Sequence, residues 1–92
     1  MQLKHSDIEE FIIKNIEIIS SIDMNLKNEY IREKDIFDNG YIDSFGIVSL
    51  IAIIEENYSI SISNFYLNSD KIRTIKGMAS IIFKLTSTND DK

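Results

Sequence analysis

Residues 37–58 read FDNGYIDSFGIVSLIAIIEENY, and this stretch decides the fold. Its first part holds Asp38, Asn39 and Gly40, residue types that form turns. Its second part repeats apolar residues at helical spacing. At about 100° per residue, Ile47, Leu50, Ile51, Ile54 and Tyr58 share one face, with Ile53 at its edge. Phe45, Val48, Ser49, Ala52 and Glu56 fall on the opposite side, with Glu55 near its edge. The spacing predicts a helix over 44–57 with a core stripe and a second, half-apolar stripe. The second stripe begins beside Ser44.

Upstream, Ile8, Phe11, Ile12, Ile16, Ile19 and Ile22 recur at steps of three and four, which predicts a first helix over about 6–21. Ile13 and Ile18 fall off its centre. Ser6 followed by Glu9 fits a capping box. Residues 23–43 keep no period, and Asp23, Asn25, Asn28, Asp35, Asp38, Asn39 and Gly40 mark a long loop. Loops of this length in small domains are uncommon and often functional. There is room for one helical turn near Leu26 to Arg32. Leu26, Tyr30, Ile31, Ile36 and Phe37 are expected to pin the loop to the core. Gly40 is expected to supply a positive φ in the turn.

Downstream, residues 58–62 alternate like a strand but have no partner strand. An isolated strand is unstable, so an extended connector burying Ile60 or Ile62 is expected. Ser63 fits the cap of a short helix through Leu67. A last helix over 74–85, capped by Thr74, places Ile75, Met78, Ala79, Ile82 and Leu85 on one face and Lys76, Ser80 and Lys84 outside. Gly77 inside it costs up to about 1 kcal/mol relative to Ala, which suggests close packing against a neighbour. Residues 86–92 are polar and read as a flexible tail behind a single domain of 1–85. The fold class expected is all-α: a small antiparallel bundle of three main helices and one short helix, with a long loop after the first helix.

The totals narrow the function. The chain has 92 residues and 43% apolar residues, enough for one small core. It has no cysteine and a single histidine, His5, so a disulfide framework, a Cys-based metal site and a His cluster are all excluded. The net charge of −5 disfavours nucleic acid and anionic lipid as partners. No apolar run is long enough to span a membrane, and Asp7, Glu9 and Glu10 break any signal-peptide pattern. A cytoplasmic monomer is the expectation. The abundant isoleucine fits an AT-rich genome rather than a function. No nucleophile–base pair and no phosphate-binding Gly loop is present, so catalysis is not expected. Asp38, Asp43 and Glu55 read as solvated carboxylates of an acidic chain rather than a metal site.

What remains is the Asp43–Ser44 pair. A Gly turn delivers it to a helix start, where amides lack intrahelical partners and negative charge is favoured. Either residue fits a plain N-cap, and a phosphodiester on Ser44 would also sit well there. Taken with the preceding long loop, Gly40, Ile42, Phe45 and the helix that follows, the order of elements resembles the acyl carrier protein family from about Asp7 to Leu85. The resemblance implies a non-catalytic carrier. Ser44 would hold a 4′-phosphopantetheine arm, transferred from coenzyme A by a phosphopantetheinyl transferase that supplies its own Mg²⁺ and base. The arm's thiol would carry an acyl or aminoacyl group as a thioester between a loading enzyme and downstream transferases or synthases. The resemblance also implies that Asp43 positions the modifying enzyme or its metal. Helix-start electrostatics, worth about 0.3–1 kcal/mol, is the structural alternative.

In that family the modified helix meets its enzymes through acidic residues around apolar ones. Here Phe45, Val48, Ser49, Ala52, Glu55 and Glu56 form the corresponding docking face. Gly46 and Ser49 stand where fatty-acid carriers tend to have carboxylates, and Phe45 where leucine is commoner. These departures point to a dedicated partner set. The spacing from Gly40 to Asp43–Ser44–Phe45 is similar to D-alanyl carriers and to free-standing carriers of specialised pathways. The alternative is an unmodified helical protein-interaction domain, in which the apolar face matters and the Ser44 hydroxyl does not.

Overall fold

The computed structural model describes residues 3–25 and 28–90, with side chains to residue 87. It is an all-helical bundle, with no strand among the described residues. Four helices follow one another: α1 (His5–Ser20), α2 (Ser44–Tyr58), α3 (Asn64–Leu67) and α4 (Ile75–Asp90). Single tight turns of 3₁₀ type lie within the loop after α1, at Glu29–Glu33, and just before α4, at Asp70–Arg73. Helix α1 packs against both α2 and α4.

That central position corrects the reading of α1. Ile8, Ile12, Ile13 and Ile16 are all fully buried, whereas Ile18 is 75% exposed. Two neighbours bury a wider arc than one stripe supplies, and the arc extends to Ile13. Phe11 and Ile19, placed in the stripe by spacing, are only half-buried. The capping box is also absent. The helix begins at His5 behind Lys4, which makes no side-chain cap bond. Glu9 does not reach back because its carboxylate accepts from Arg32 Nε at 2.8 Å, and His5 lies against the Phe83 ring with centroids 4.4 Å apart. Ser21 ends α1 in the left-handed region, its N–H bonding to Glu17 O.

The loop after α1 is ordered by burial and by hydrogen bonds. Met24, Ile31, Ile36 and Ile42 are buried in the core. Phe37 packs against it while Tyr30 is 77% exposed; Leu26 lies outside the described residues. The expected helical turn is the 3₁₀ turn Glu29–Glu33, started by Asn28, whose side chain accepts from Tyr30 N–H. Gly40 has φ 72°, as the turn requires. After α2, both Ile60 and Ile62 are buried along the extended connector, so it anchors at two points.

Ser63 precedes α3 but makes no side-chain cap bond; its carbonyl accepts from Tyr66 and Leu67 N–H instead. Thr74 does cap α4, its Oγ1 accepting from Gly77 N–H at 2.9 Å. Ile75, Met78, Ala79 and Ile82 are buried as spaced, and Ile81 joins them. The helix runs on to Asp90 rather than ending at Leu85. Residues 86–90 hold no Gly or Pro to stop it, and Thr86 Oγ1 bonds back to Phe83 O. Residues 91 and 92 of the expected tail lie outside the described residues.

Asp35 organises the end of the loop. Its carboxylate accepts from the N–H of Phe37 (2.9 Å) and Asp38 (2.8 Å) and pairs with Arg73 Nε at 2.5 Å. The Arg73 hydrogen bond, then the backbone amides, hold its pKa below the ordinary 3.8. A depressed carboxylate stabilises the fold fully above its ordinary pKa and loses that contribution as pH falls through the folded value. Urea midpoints of wild type and Asp35→Asn should therefore differ by a constant amount from about pH 5 to 7 and converge as pH falls below about 4.

Candidate functional site

Helix α2 starts where the turn Asp35–Ile42 releases the chain. The buried Ile42, 4% exposed, fixes the approach from below. Asp43 then takes extended backbone angles and caps the helix: Oδ1 accepts from Phe45 N–H at 3.1 Å and Gly46 N–H at 2.7 Å. Its carbonyl accepts from Ile47 N–H at 3.0 Å. The cap is thus Asp43, and Ser44 is the first helical residue. The Ser44 side chain is exposed and its hydroxyl makes no hydrogen bond to any described residue.

This geometry corrects one expectation. The first-turn amides of Phe45 and Gly46 are not waiting for a phosphate, because the Asp43 carboxylate already occupies that place. What α2 offers at Ser44 is a free, outward hydroxyl on a fixed backbone. Only Oδ1 of Asp43 is engaged among the described residues, and Oδ2 faces no partner there.

The second stripe is exposed as spaced. Phe45 is 85% and Val48 67% exposed, and Ser49, Ala52 and Glu56 are exposed too. Burying both apolar side chains against a partner would contribute about 1.5–3 kcal/mol each. Glu55 differs from the rest. It is half-buried, and its Oε2 accepts from Ile62 N–H at 2.8 Å, so it ties the connector to α2 as well as bordering the face. Gly46 is buried against α1, where an added Cβ would come within 3.2 Å of the Ile19 side chain.

Two depressions flank Phe37. One, of about 760 Å³, lies beside the site and is lined by Ile19, Ile22, Phe37, Asp43, Phe45 and Ser49 among others. The other, of about 640 Å³, is a mainly apolar groove between α2 and the 3₁₀ turn before α4, bordered by Val48, Ile51, Ala52, Leu67, Ile72 and Arg73 among others. The carboxylates that spacing scattered through this region stay apart: Asp38 meets Arg73, Asp43 caps α2, and Glu55 holds Ile62. No group of three or more His, Cys, Asp or Glu side chains comes together among the described residues. Among those residues, too, no helix is long and apolar enough to cross a membrane.

Sequence reading missed the pairing of Arg73 with Asp35, 38 residues apart, at the turn that leads to α2. The turn-forming character of Asp35 was visible; its partner was not. Comparison with protein-family models, with curated proteins and with solved structures gives no match in any of the three.

Proposed function

We propose that the protein is a non-catalytic carrier, with Ser44 as the attachment point for a 4′-phosphopantetheine arm. The observation that carries this reading is the exposed, unbonded Ser44 hydroxyl at the first position of α2, flanked by the Asp43 cap and the apolar Phe45–Val48 face. A modifying enzyme needs a rigid, reachable nucleophile more than it needs help from the carrier. In the transfer the Ser44 Oγ–P bond forms and the P–O bond to the adenosine half of coenzyme A breaks. Adenosine bisphosphate leaves, and the serine proton passes to the transferase's base. Oδ2 of Asp43, which takes no part in the cap, would meet a metal or basic group of that enzyme. When attached, the arm supplies a thiol to a chain that has no cysteine, and with it thioester chemistry on acyl or aminoacyl cargo. Tethering then makes each transfer between enzymes local.

Phe45 and Val48 would dock the partners, with Ser49, Ala52, Glu55 and Glu56 around them. The departures from fatty-acid carriers favour a dedicated loading enzyme and dedicated downstream transferases or synthases. The test is incubation with coenzyme A and a broad-range phosphopantetheinyl transferase, read by intact mass. One phosphopantetheinyl addition per chain is expected. A folded protein unmodified by several transferases contradicts the reading.

The same exposed face favours a second reading, an unmodified interaction domain. Val48→Glu separates the two when compared with Ser44→Ala in a pathway assay. Both variants lose activity in a carrier, and Val48→Glu slows modification about tenfold or more by placing a charge in the docked face. In an interaction domain Ser44→Ala behaves as wild type.

A further inference from the structure

The turn that ends at Asp43–Ser44 is gripped from the far end of the chain. Arg73 donates from Nε to Asp35 Oδ2 at 2.5 Å, and from a terminal nitrogen to Asp35 Oδ1 and Asp38 Oδ1 at 3.2 Å each. Its guanidinium carbon stands 5.0 Å from the centre of the Phe37 ring. Its carbonyl accepts from Ile36 N–H at 2.8 Å. Ile36 O in turn accepts from Tyr41 N–H at 2.9 Å and Ile42 N–H at 3.3 Å. An unbroken series of bonds therefore runs from Arg73 to Ile42, the residue before the α2 cap.

We infer that Arg73 is a positioning residue for Ser44, fixing through the Asp35–Ile42 turn the pose in which α2 presents its first residue. The functional consequence rests on the carrier reading; the geometric one does not. Planar, forked donation suits Arg for this grip and not Lys. The rest of the turn is internally bonded, since Asp35 Oδ1 also holds the Phe37 and Asp38 amides and Gly40 N–H bonds to Phe37 O. Without the guanidinium the turn stays a turn and keeps the Ile36 N–H bond to the Arg73 carbonyl, but its outer part, Phe37 to Gly40, loses its clamp to the 3₁₀ segment before α4 and can rock about that bond. Phe37 would rock with it, and Phe37 forms a wall of both the recess beside Ser44 and the groove along α2. The core is untouched, because the side chains of Arg73 and Asp35 lie at its rim with 41% and 26% exposure.

The experiment uses the full chain and three variants, Arg73→Gln, Asp35→Asn and Arg73→Lys. Amide hydrogen exchange is followed at Gly40, Tyr41, Ile42, Phe45 and Gly46, with Ile12 and Ile82 as core references. Exchange at the turn and cap amides is expected to rise about tenfold more than at the references in Arg73→Gln and Asp35→Asn, and Arg73→Lys should fall between them and wild type. The same order should appear in transferase-driven modification at limiting carrier, as a raised KM with kcat less affected. Wild-type exchange at these amides in Arg73→Gln overturns the inference, as does a uniform rise that includes Ile12 and Ile82. If the local rise occurs but wild type takes no phosphopantetheine, the positioning stands and the carrier reading fails. If wild type is modified and Arg73→Gln matches it in KM and kcat, the consequence for Ser44 is refuted.

Discussion

Gly77→Ala is expected to destabilise the fold by about 2–3 kcal/mol, within the range for overpacked sites. Helix propensity predicts the opposite sign, a gain of about 1 kcal/mol for Gly to Ala in a helix interior. Packing wins because an added Cβ would meet the Lys71 carbonyl oxygen at 2.1 Å, the carbonyl carbon at 2.8 Å and Cα at 2.9 Å. All three are backbone atoms, so no side chain can swing aside. The turn Asp70–Arg73 must retreat from α4, and Ile72, which is buried, must retreat with it. For a domain of this size about 2–3 kcal/mol corresponds to a fall in Tm of roughly 10–20 °C. Urea unfolding of wild type and Gly77→Ala checks it. A more stable Gly77→Ala would mean that the turn and α4 do not touch as described. The retreat should also carry Arg73 away from Asp35, so this variant is expected to loosen the α2 start.

If Ser44 carries the arm as proposed, Ser44→Ala has the opposite profile, with a complete functional effect expected and almost no structural one. The helix cap is Asp43, whose carboxylate holds the Phe45 and Gly46 amides. The Ser44 hydroxyl holds nothing among the described residues, and Ala is the better helix former. Stability should change by less than about 0.5 kcal/mol, as for surface substitutions generally. Modification should vanish, because no other hydroxyl stands at the start of α2. Asp43→Ala separates the two adjacent roles. It removes the cap and costs about 1 kcal/mol, whereas a serine lost from the cap position would have cost that much at residue 44.

The helices were legible because isoleucine and leucine recur at helical spacing in an otherwise polar chain. The α2 stripe from Ile47 to Tyr58 and the α4 stripe from Ile75 to Ile82 both face the core. Ile13 was misplaced because spacing describes one face of one helix, and α1 is covered on two sides. The α1 start was misread because a capping box needs a free glutamate, and Glu9 is held by Arg32 from the loop. At the site, Ser44, Phe45 and Val48 were legible as a run beside a turn. Glu55 looked like a docking carboxylate, yet its bond to Ile62 N–H spans a connector that leaves no periodic trace. The Arg73–Asp35 clasp was invisible for the same reason in stronger form, since it joins residues whose only relation is the folded topology.

On the proposed function, one serine oxygen at the head of α2 accepts a phosphopantetheinyl group. The most direct measurement is the intact mass of wild type and Ser44→Ala after incubation with coenzyme A and a broad-range transferase, with circular dichroism confirming that both are folded. One added group is expected on wild type and none on Ser44→Ala. An unchanged mass for folded wild type, or equal addition to both proteins, would contradict it.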